Sequence, residues 1–252
     1  MTTTCRALVL IPCYNPGQKV LDTVRAARDV WSPVWVVVDG STDDSTAALQ
    51  ALAATDPGLR LLILPHNQGK GAAVLHGLDA AAAQGFTHAL TLDADGQHPA
   101  SRIPAFMQAA QQHPEAMILG QPVFDARAPK LRVYGREISN TWVKLETLWI
   151  GIADSLFGMR VYPIAPLRQI MHRSRFMRRF DFDPEAVVRL AWAGVRPINL
   201  PTPVRYFRAE DGGVSHFRYG RDNLLLTGMH IRLVAGFLWR LPILLARRLR
   251  RR

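Results

Sequence analysis

The stretch TLDADGQHP, residues 91–99, follows an apolar run at residues 86–92 that predicts a buried strand. Side chains alternate along an extended chain, so Asp93 and Asp95 point to the same side where this strand ends. Two carboxylates placed in this way can bind one hard divalent cation and leave its remaining positions for phosphate oxygens. The stretch also fits a simpler interpretation, in which Asp95 and Gly96 form a turn and Asp93 caps a helix.

Short apolar runs alternate with helix-like stretches along the chain. Strands that are apolar throughout and are separated by helices indicate a mostly parallel sheet with helices on both faces. The predicted fold class is therefore α/β, and ligands are expected beyond the carboxyl ends of the strands. The predicted strands are residues 7–11, 34–38, 59–64, 86–92, 116–119, 159–162 and 196–200, and the predicted helices are residues 17–30, 43–54, 69–84, 99–113 and 184–193.

Positive charge is concentrated at the end of the chain. The 252 residues carry a formal net charge of +11, and residues 205–252 hold eleven arginines against three acidic residues, which is +8 of that total. A basic tail on a nearly neutral body indicates an anionic partner, either phospholipid headgroups or nucleic acid.

The tail, residues 218–252, has the pattern of an amphipathic helix, with arginines in a sector of about 100° and apolar residues opposite. Such a helix can lie in a membrane interface with its arginines on lipid phosphates; the alternative is a helix packed on the domain with a solvated basic face. Because the tail offers aliphatic side chains rather than stacking aromatics, we expect an anionic membrane surface as partner and no nucleic acid. Pro242 should kink this helix or divide it. The arginines are Arg232, Arg240, Arg247 and Arg251, and the apolar residues are Val234, Phe237, Leu238, Leu241 and Leu245.

The cysteines and the apolar runs bear on the cellular compartment. Cys5 and Cys13 stand at the two ends of one predicted strand, too far apart for a mutual disulfide. The chain shows no secretory signal peptide, and no uninterrupted apolar run approaches the ~20 residues that span a bilayer. We therefore expect a cytoplasmic protein, peripheral on the inner face of the membrane.

Three further segments end a strand or begin a helix and hold residues suited to a nucleotide. Residues 10–15, LIPCYN, offer a flat aromatic ring and an amide, and residues 38–43, VDGSTD, place Asp39 at a strand tip where it can accept hydrogen bonds from a base or ribose. Residues 67–73, NQGKGAA, combine glycines that let the backbone approach a ligand with Lys70, which can neutralise phosphate near a helix N-terminus. Taken singly, each segment also fits an ordinary turn, a loop glycine or a surface charge.

The four segments together resemble the nucleotide-sugar-binding half of the inverting family-two glycosyltransferases, whose fold is called GT-A. P-x-Y-N, D-G-S-T-D, N-x-G-K-G and D-x-D-G-Q-H-P recur in that order across residues 7–120. The resemblance implies a UDP- or GDP-sugar donor and a Mg²⁺ or Mn²⁺ ion bound by Asp93 and Asp95. Many members have Glu after the Asn of the first motif, where this chain has Pro16. The implied donor contacts are Pro12, Tyr14, Asn15, Asp39, Lys70, Gly71, Asp93, Ala94 and Asp95.

The form D-x-D-G-Q-H-P is most similar to the branch containing dolichyl-phosphate mannose synthase and the polyprenyl-phosphate sugar transferases. Residues 154–160, DSLFGMR, are similar to that branch's D-x-x-S-G-F-R segment, with Phe157 in place of the serine. Residues 142–148 and 212–217 look closer to glycosyltransferases of aryl-polyene-type lipid pathways. The branch implies a lipid or polyprenyl-phosphate acceptor.

The chemistry of the acceptor decides which catalytic residues are needed. A phosphate acceptor is already anionic and needs cations, for which Arg160, matched by the family segment, and Arg136 are the candidates. A hydroxyl acceptor needs a general base, for which Asp183 is the first choice and Glu185 the second. The alternative for Asp183 is that it caps the helix starting at Pro184.

These expectations combine into one domain and a tail. Residues 1–217 are expected to form the GT-A domain, with a nucleotide-sugar half at 1–120 and an acceptor half at 121–217, and residues 218–252 the membrane-interface tail. The expected function is metal-dependent, inverting sugar transfer. Two alternatives remain, a nucleotidyltransferase, which releases pyrophosphate, and a non-catalytic basic membrane-binding scaffold.

Overall fold

The computed structural model describes residues 5–124, 130–204 and 219–249. Within them lies a seven-stranded sheet with the order β3-β2-β1-β4-β6-β5-β7. Neighbouring strands are parallel except that β6 runs antiparallel to both β4 and β5, so the predicted mostly parallel sheet is confirmed. The strands are β1 (Ala7–Cys13), β2 (Val34–Asp39), β3 (Leu59–Leu64), β4 (His88–Thr91), β5 (Met117–Val123), β6 (Arg160–Pro163) and β7 (Pro197–Pro203).

Helices cover both faces of this sheet, as the apolar strands predict. Alternate side chains of β1 point to opposite faces, and Leu8 and Leu10 join the core beneath α3, α6 and α7, whereas Val9 and Ile11 join the core beneath α1 and α4. The helices are α1 (Lys19–Arg28), α2 (Ser45–Thr55), α3 (Lys70–Ala83), α4 (Ile103–Gln112), α5 (Lys130–Glu146), α6 (Ile164–His172), α7 (Phe182–Ala193) and α8 (Tyr219–Leu249), and a short 3₁₀ helix at Ala100–Arg102 precedes α4.

Two features differ from the pattern in the sequence. Strand β4 ends at Thr91, and the chain then leaves the sheet, so the acidic pair lies in a loop rather than on an extended strand. No predicted helix covers α5 or α6, although in α6 Ile164, Leu167 and Met171 are buried and repeat at helical spacing. The expected absence of a disulfide is confirmed, because Cys5 and Cys13 are both free thiols.

Helix α8 packs on the domain through Met229, Leu233 and Phe237, which are buried in the core. It runs through Pro242 as one helix, so the expected division into two pieces is not observed. By length and composition its stretch Gly220–Leu249 could cross a membrane. The sequence pattern predicts no such stretch, because arginines interrupt the apolar run. The mean hydropathy along the helix stays high in spite of them.

The arginines of α8 are the main correction to the predicted tail. Arg232 pairs with Glu185 on α7, and Arg247 donates a hydrogen bond of 2.5 Å to the carbonyl of Trp192. Arg240 lies 4.9 Å from the centre of the Trp192 ring. The arginine side of the helix therefore faces the domain rather than outward. Arg251, residues 212–217 and the 217/218 boundary lie outside the described residues.

Candidate active site

Loops that leave the carboxyl ends of β1, β2 and β4 meet beside the N-terminus of α3. This is the edge at which ligands bind in open α/β sheets. The loop after β4 carries Asp93 and Asp95, the end of β2 carries Asp39, and α3 begins with Lys70. The predicted donor segments are thus brought to one edge of the sheet.

Lys70 joins the two halves of the site. Its Nζ lies 2.7 Å from Oδ1 of Asp93 and 2.6 Å from Oδ2 of Asp183, which belongs to α7. Burial alone would lower the pKa of Lys70, but the charges of Asp183 and Asp93 outweigh it and raise this pKa. Lys70 is therefore a permanent cation between a predicted donor-side acid and a predicted acceptor-side acid.

The two carboxylates of the acidic pair differ in their surroundings: Asp93 has cationic and hydrogen-bonding partners, whereas the charge of Asp95 is opposed by burial and by Asp93. Burial would raise the pKa of Asp93, but the charge of Lys70 and the hydrogen bond from His98, at 3.3 Å, lower it. For Asp95, burial and the negative charge of Asp93 raise the pKa. Two partly desolvated carboxylates of like charge in adjacent positions favour the binding of a further cation.

The residues present suit a metal that is bound together with a nucleotide. Across residues 5–124, 130–204 and 219–249, no three His, Cys, Asp or Glu side chains form a group able to hold a metal by themselves. Mg²⁺ in nucleotide sites is typically held by one or two carboxylates, with substrate phosphates and water completing its coordination. Asp93 and Asp95 supply that number, and the side chain of Asp93 is 27% exposed, which leaves it accessible.

The backbone at Gly158 lies against the carboxylate of Asp93 and limits where this side chain can sit. A Cβ atom added to Gly158, in the loop before β6, would overlap the Asp93 carboxylate. On another side His98 stacks edge-on against Phe157, with ring centres 4.3 Å apart. Glycine is therefore required at 158 for the loop to approach the acid, and Phe157, which replaces the family's serine, supports the histidine that contacts Asp93.

Asp39 holds the glycine-rich loop that precedes α3. Its two carboxylate oxygens accept backbone N–H groups, from Gln68 at 2.8 Å and from Gly69 at 2.7 Å. Gly69 has φ of +103°, and a Cβ there would collide with the carbonyl of Arg178. Asp39 thus orders the loop that presents Lys70, and any contact to a base or ribose would use its remaining lone pairs.

Asn15 ties the first two motif loops together. Its Oδ1 accepts the N–H of Thr42 at 2.7 Å, and its own N–H donates to Oγ of Ser41 at 3.0 Å. Of the other predicted donor contacts, Tyr14 is half-buried at the end of β1, whereas Pro12 and Ala94 are buried. Gly71 meets the loop before α7, where a Cβ would collide with the carbonyl of Met177.

Asp183 faces the site and does not cap its helix. Helix α7 begins at Phe182, so Asp183 lies inside it, and its Oδ2 bonds Lys70. Its Oδ1 is buried and has no hydrogen-bond partner. The alternative interpretation of Asp183 as a cap is therefore not observed, and its Oδ1 lies 3.9 Å from Nη1 of Arg160 without a hydrogen bond.

Arg160 lies directly behind Asp183. It is fully buried, and its Nη1 donates to the Asp183 carbonyl at 2.7 Å and to the Tyr162 hydroxyl at 3.0 Å. Its Nε and Nη2 are buried without a partner. The contact of this arginine with the site runs through Asp183, and its Nε and Nη2 together carry three N–H groups without an acceptor.

The other two predicted catalytic residues are not brought to the cluster around Lys70. Arg136 donates a hydrogen bond of 2.6 Å to Asp154, whose carboxylate also holds the 154–156 turn. Glu185 is fully buried and pairs with Arg189 at 2.6 Å and with Arg232 at 3.2 Å. Arg136 thus supports a loop, whereas Glu185 links α7 to α8 and has no free oxygen to act as a base.

Comparison with known proteins shows which family the chain belongs to. The family model for glycosyl transferase family 2 matches residues 8–181. The chain is 28% identical to polyprenol monophosphomannose synthase of Mycolicibacterium smegmatis over 173 residues, 66% of this chain and 65% of that protein. It is 22% identical to UDP-N-acetylglucosamine–dolichyl-phosphate N-acetylglucosaminyltransferase of Methanococcus voltae over 196 residues, 71% of this chain and 78% of that protein. The chain thus spans about two thirds of the first relative's length.

The fold has a close counterpart among solved structures. Glucosyl-3-phosphoglycerate synthase of Mycobacterium tuberculosis, in complex with Mn²⁺, UDP and glucosyl-3-phosphoglycerate, superposes with a TM-score of 0.59 at 16% identity, over 93% of this chain and 79% of that chain. The GT-A fold predicted from the sequence is confirmed, as is the resemblance to the lipid-phosphate sugar transferase branch.

Proposed function

The chain belongs to glycosyl transferase family 2, and from this premise we propose that it is a metal-dependent, inverting glycosyltransferase with a lipid-phosphate acceptor. The observation that carries the proposal is the contact of Lys70 with both Asp93 and Asp183. This bridge brings the acid expected to bind the donor diphosphate next to the helix expected to meet the acceptor. Sugar transfer requires these two groups side by side.

On the donor side, Asp93 and Asp95 would hold Mg²⁺ or Mn²⁺ together with the diphosphate of a UDP- or GDP-sugar. When bound, such a metal stabilises the charge that develops on the departing nucleoside diphosphate. Lys70 would add a second positive charge to the same leaving group. Asp39 and Asn15 would act by ordering the loops that enclose the nucleotide.

On the acceptor side, a lipid phosphate supplies its own anionic oxygen, so that its attack needs positive charge rather than a base. Arg160, through its unpartnered Nε and Nη2, is the proposed cation, and Arg136 would stabilise the 154–156 turn beside it. The names of the two relatives described above refer to polyprenol monophosphomannose and to dolichyl phosphate, which supports a lipid phosphate as the acceptor.

A hydroxyl acceptor is favoured by one observation: the buried Oδ1 of Asp183 has no hydrogen-bond partner, and its nearest cation, Nη1 of Arg160, lies 3.9 Å away. This oxygen would serve as the general base. Asp183→Asn distinguishes the two acceptor classes, because transfer to a hydroxyl would be lost whereas transfer to a phosphate would retain a large part of its rate. We further propose that residues 1–120 form the donor half, that residues 121–217 form the acceptor half and that the protein works on the cytoplasmic face of the membrane.

Calorimetric titration of UDP and GDP, with and without Mn²⁺, tests the donor site. We expect one nucleotide to bind only with the metal, and binding to disappear in Asp93→Ala. Asp22→Ala is the matched control, because the Asp22 side chain is 83% exposed on α1 and its ion pair is with Arg25, at 3.9 Å. No binding by a folded protein would contradict the proposal and favour a non-catalytic scaffold. Release of pyrophosphate from a nucleoside triphosphate would instead favour a nucleotidyltransferase.

A further inference from the structure

Exposed apolar side chains are concentrated on α5 and α8. On α5 these residues repeat every four positions. On α8 three of them repeat every seven positions and the fourth is adjacent to the last of the three, so that each set forms one stripe along its helix. We call these two stripes the α5–α8 surface. It consists of Tyr134, Ile138 and Trp142 on α5 and of Leu224, Ile231, Leu238 and Trp239 on α8, each between 43% and 85% exposed.

The two stripes border the same seam between the helices. His230 of α8 accepts or donates a hydrogen bond at each ring nitrogen, with Oγ of Ser139 at 3.1 Å and with Oε1 of Glu146 at 2.9 Å, both on α5. Trp142 lies over this histidine, with ring centres 6.3 Å apart, and Ile231 is the next residue of α8. A buried polar network thus holds the helices together, and their exposed apolar residues adjoin one another.

The opposite side of α8 is committed to the domain. Leu233 and Phe237 are buried in the core, and Arg232 pairs with the buried Glu185 while lying 3.7 Å above the Phe176 ring. Crossing a bilayer as a lone span would break this packing and would desolvate a separated arginine and carboxylate. The packed helix therefore has one side free, which suits it to lie along a surface.

Composition and charge identify the occupant of that free side. Aliphatic residues accompanied by Trp and Tyr are typical of side chains that sit at a membrane interface. Helix α8 carries five arginines against one acid; three of them contact the domain, and Arg221 and Arg248 are exposed. An anionic lipid surface complements this charge, whereas a second copy of the chain, with the same net charge of +11, would repel it.

We propose that α5 and α8 together form the membrane-docking surface, with α8 lying in the plane of an anionic bilayer, its apolar stripe in the lipid and its arginine side against the domain. The docking surface itself does not depend on the proposed function. Its consequence does: if the acceptor is a lipid phosphate, it reaches the site from the bilayer next to α5. It differs from docking by the tail alone, because α5 belongs to the catalytic domain.

Sedimentation with vesicles of phosphatidylcholine and phosphatidylglycerol tests the surface. We expect Ile138→Glu on α5 and Leu238→Glu on α8 each to weaken vesicle binding by at least about tenfold, since each places a charge where an apolar side chain enters lipid. Ile63→Glu is the matched control, because Ile63 is 48% exposed on the edge strand β3, outside the surface. It should bind vesicles as the wild type does.

Three results would overturn the proposal. Wild-type vesicle binding by Ile138→Glu, with loss in Leu238→Glu, would mean that the tail docks alone. Resistance of the bound protein to alkaline carbonate extraction would mean that α8 spans the bilayer. A change of oligomeric state in both variants without lipid, measured by light scattering, would assign the surface to a second copy.

The same variants separate this proposal from the function. Titration of UDP and GDP with Mn²⁺ in the absence of lipid should give wild-type nucleotide affinity for Ile138→Glu and Leu238→Glu, and it also shows that they are folded. If neither the wild type nor the variants bind nucleotide, the proposed function fails, while vesicle binding still decides the role of the α5–α8 surface.

Discussion

Gly158→Ala should disable the donor site without removing any functional group. The added Cβ would overlap the carboxylate of Asp93, and the three atoms nearest to it all belong to that carboxyl group. Because carbon and oxygen atoms in contact stand about 3.5 Å apart, the carboxylate must move by about 1 Å or more. That shift breaks its contacts with Lys70 at 2.7 Å and with His98 at 3.3 Å.

The size of the effect follows from the contacts that are displaced. A hydrogen bond to a charged group contributes about 1.5–3 kcal/mol, so one misplaced metal ligand should weaken Mn²⁺-dependent nucleotide binding by roughly 10–100-fold. The fold should survive, because Asp93 is partly exposed and can swing outward, and overpacking typically costs about 1–3 kcal/mol.

Calorimetric titration of UDP and GDP with Mn²⁺ measures the loss, and thermal unfolding checks the fold. Gly135→Ala is the control, because Gly135 lies in α5 with open space around its Cα, and alanine there should stabilise the helix by about 0.5–1 kcal/mol without affecting nucleotide binding. If Gly158→Ala binds nucleotide as tightly as the wild type, Asp93 does not hold the metal in the position inferred for it.

Three further perturbations test the surroundings of the site and the stability of the domain. Lys70→Met should lower the free energy of unfolding by roughly 3 kcal/mol in urea denaturation, because it leaves two largely buried carboxylates without their cation; unchanged stability would argue against the bridge. Gly71→Ala should cost about 1–3 kcal/mol in the same measurement, because its Cβ meets the carbonyl of Met177, and stability equal to wild type would contradict this close approach. The hydrogen bond from Arg28 lowers the pKa of Asp56, so the folded pKa lies below the unfolded one and the stabilisation is present at neutral pH and lost as the pH falls through the folded value. Asp56→Asn should therefore destabilise the protein by at most about 1 kcal/mol at pH 7 and not at all in strong acid, and a difference that grows on acidification would reverse this sign.

Local patterns in the sequence predict the structure of residues 7–120 well. Strands β1 and β2 begin with apolar runs followed by turn signals, β3 is an apolar run interrupted by Arg60, and such local patterns need no information from distant residues. The carboxyl-end placement of Asp39 and of the acidic pair follows from the parallel sheet alone. His98 lies only three residues after Asp95, so its contact with Asp93 is a local one that the same stretch of sequence contains.

The arrangement of residues 121–217 depends on contacts between distant parts of the chain, which local sequence patterns do not reveal. Lys70 and Asp183 are 113 residues apart, and the Asp-Pro pattern at the start of α7 fits a helix cap equally well. The pairing of Glu185 with Arg232 also joins separate helices. A helical wheel separates the arginines of α8 from its apolar residues, but it carries no information on which side meets the domain. The arginines, expected to face lipid phosphates, contact the domain instead.

The most direct test of the account is the identity of the products formed from UDP- and GDP-sugars. The purified protein, with Mn²⁺ and anionic vesicles containing a polyprenyl phosphate, should release a nucleoside diphosphate and form a glycosylated lipid phosphate that mass spectrometry detects, with inverted anomeric configuration. Asp95→Ala should abolish both products, whereas Asp22→Ala should not. Formation of pyrophosphate from a nucleoside triphosphate, or no transfer from any donor by a folded protein that docks on the vesicles, would contradict the account.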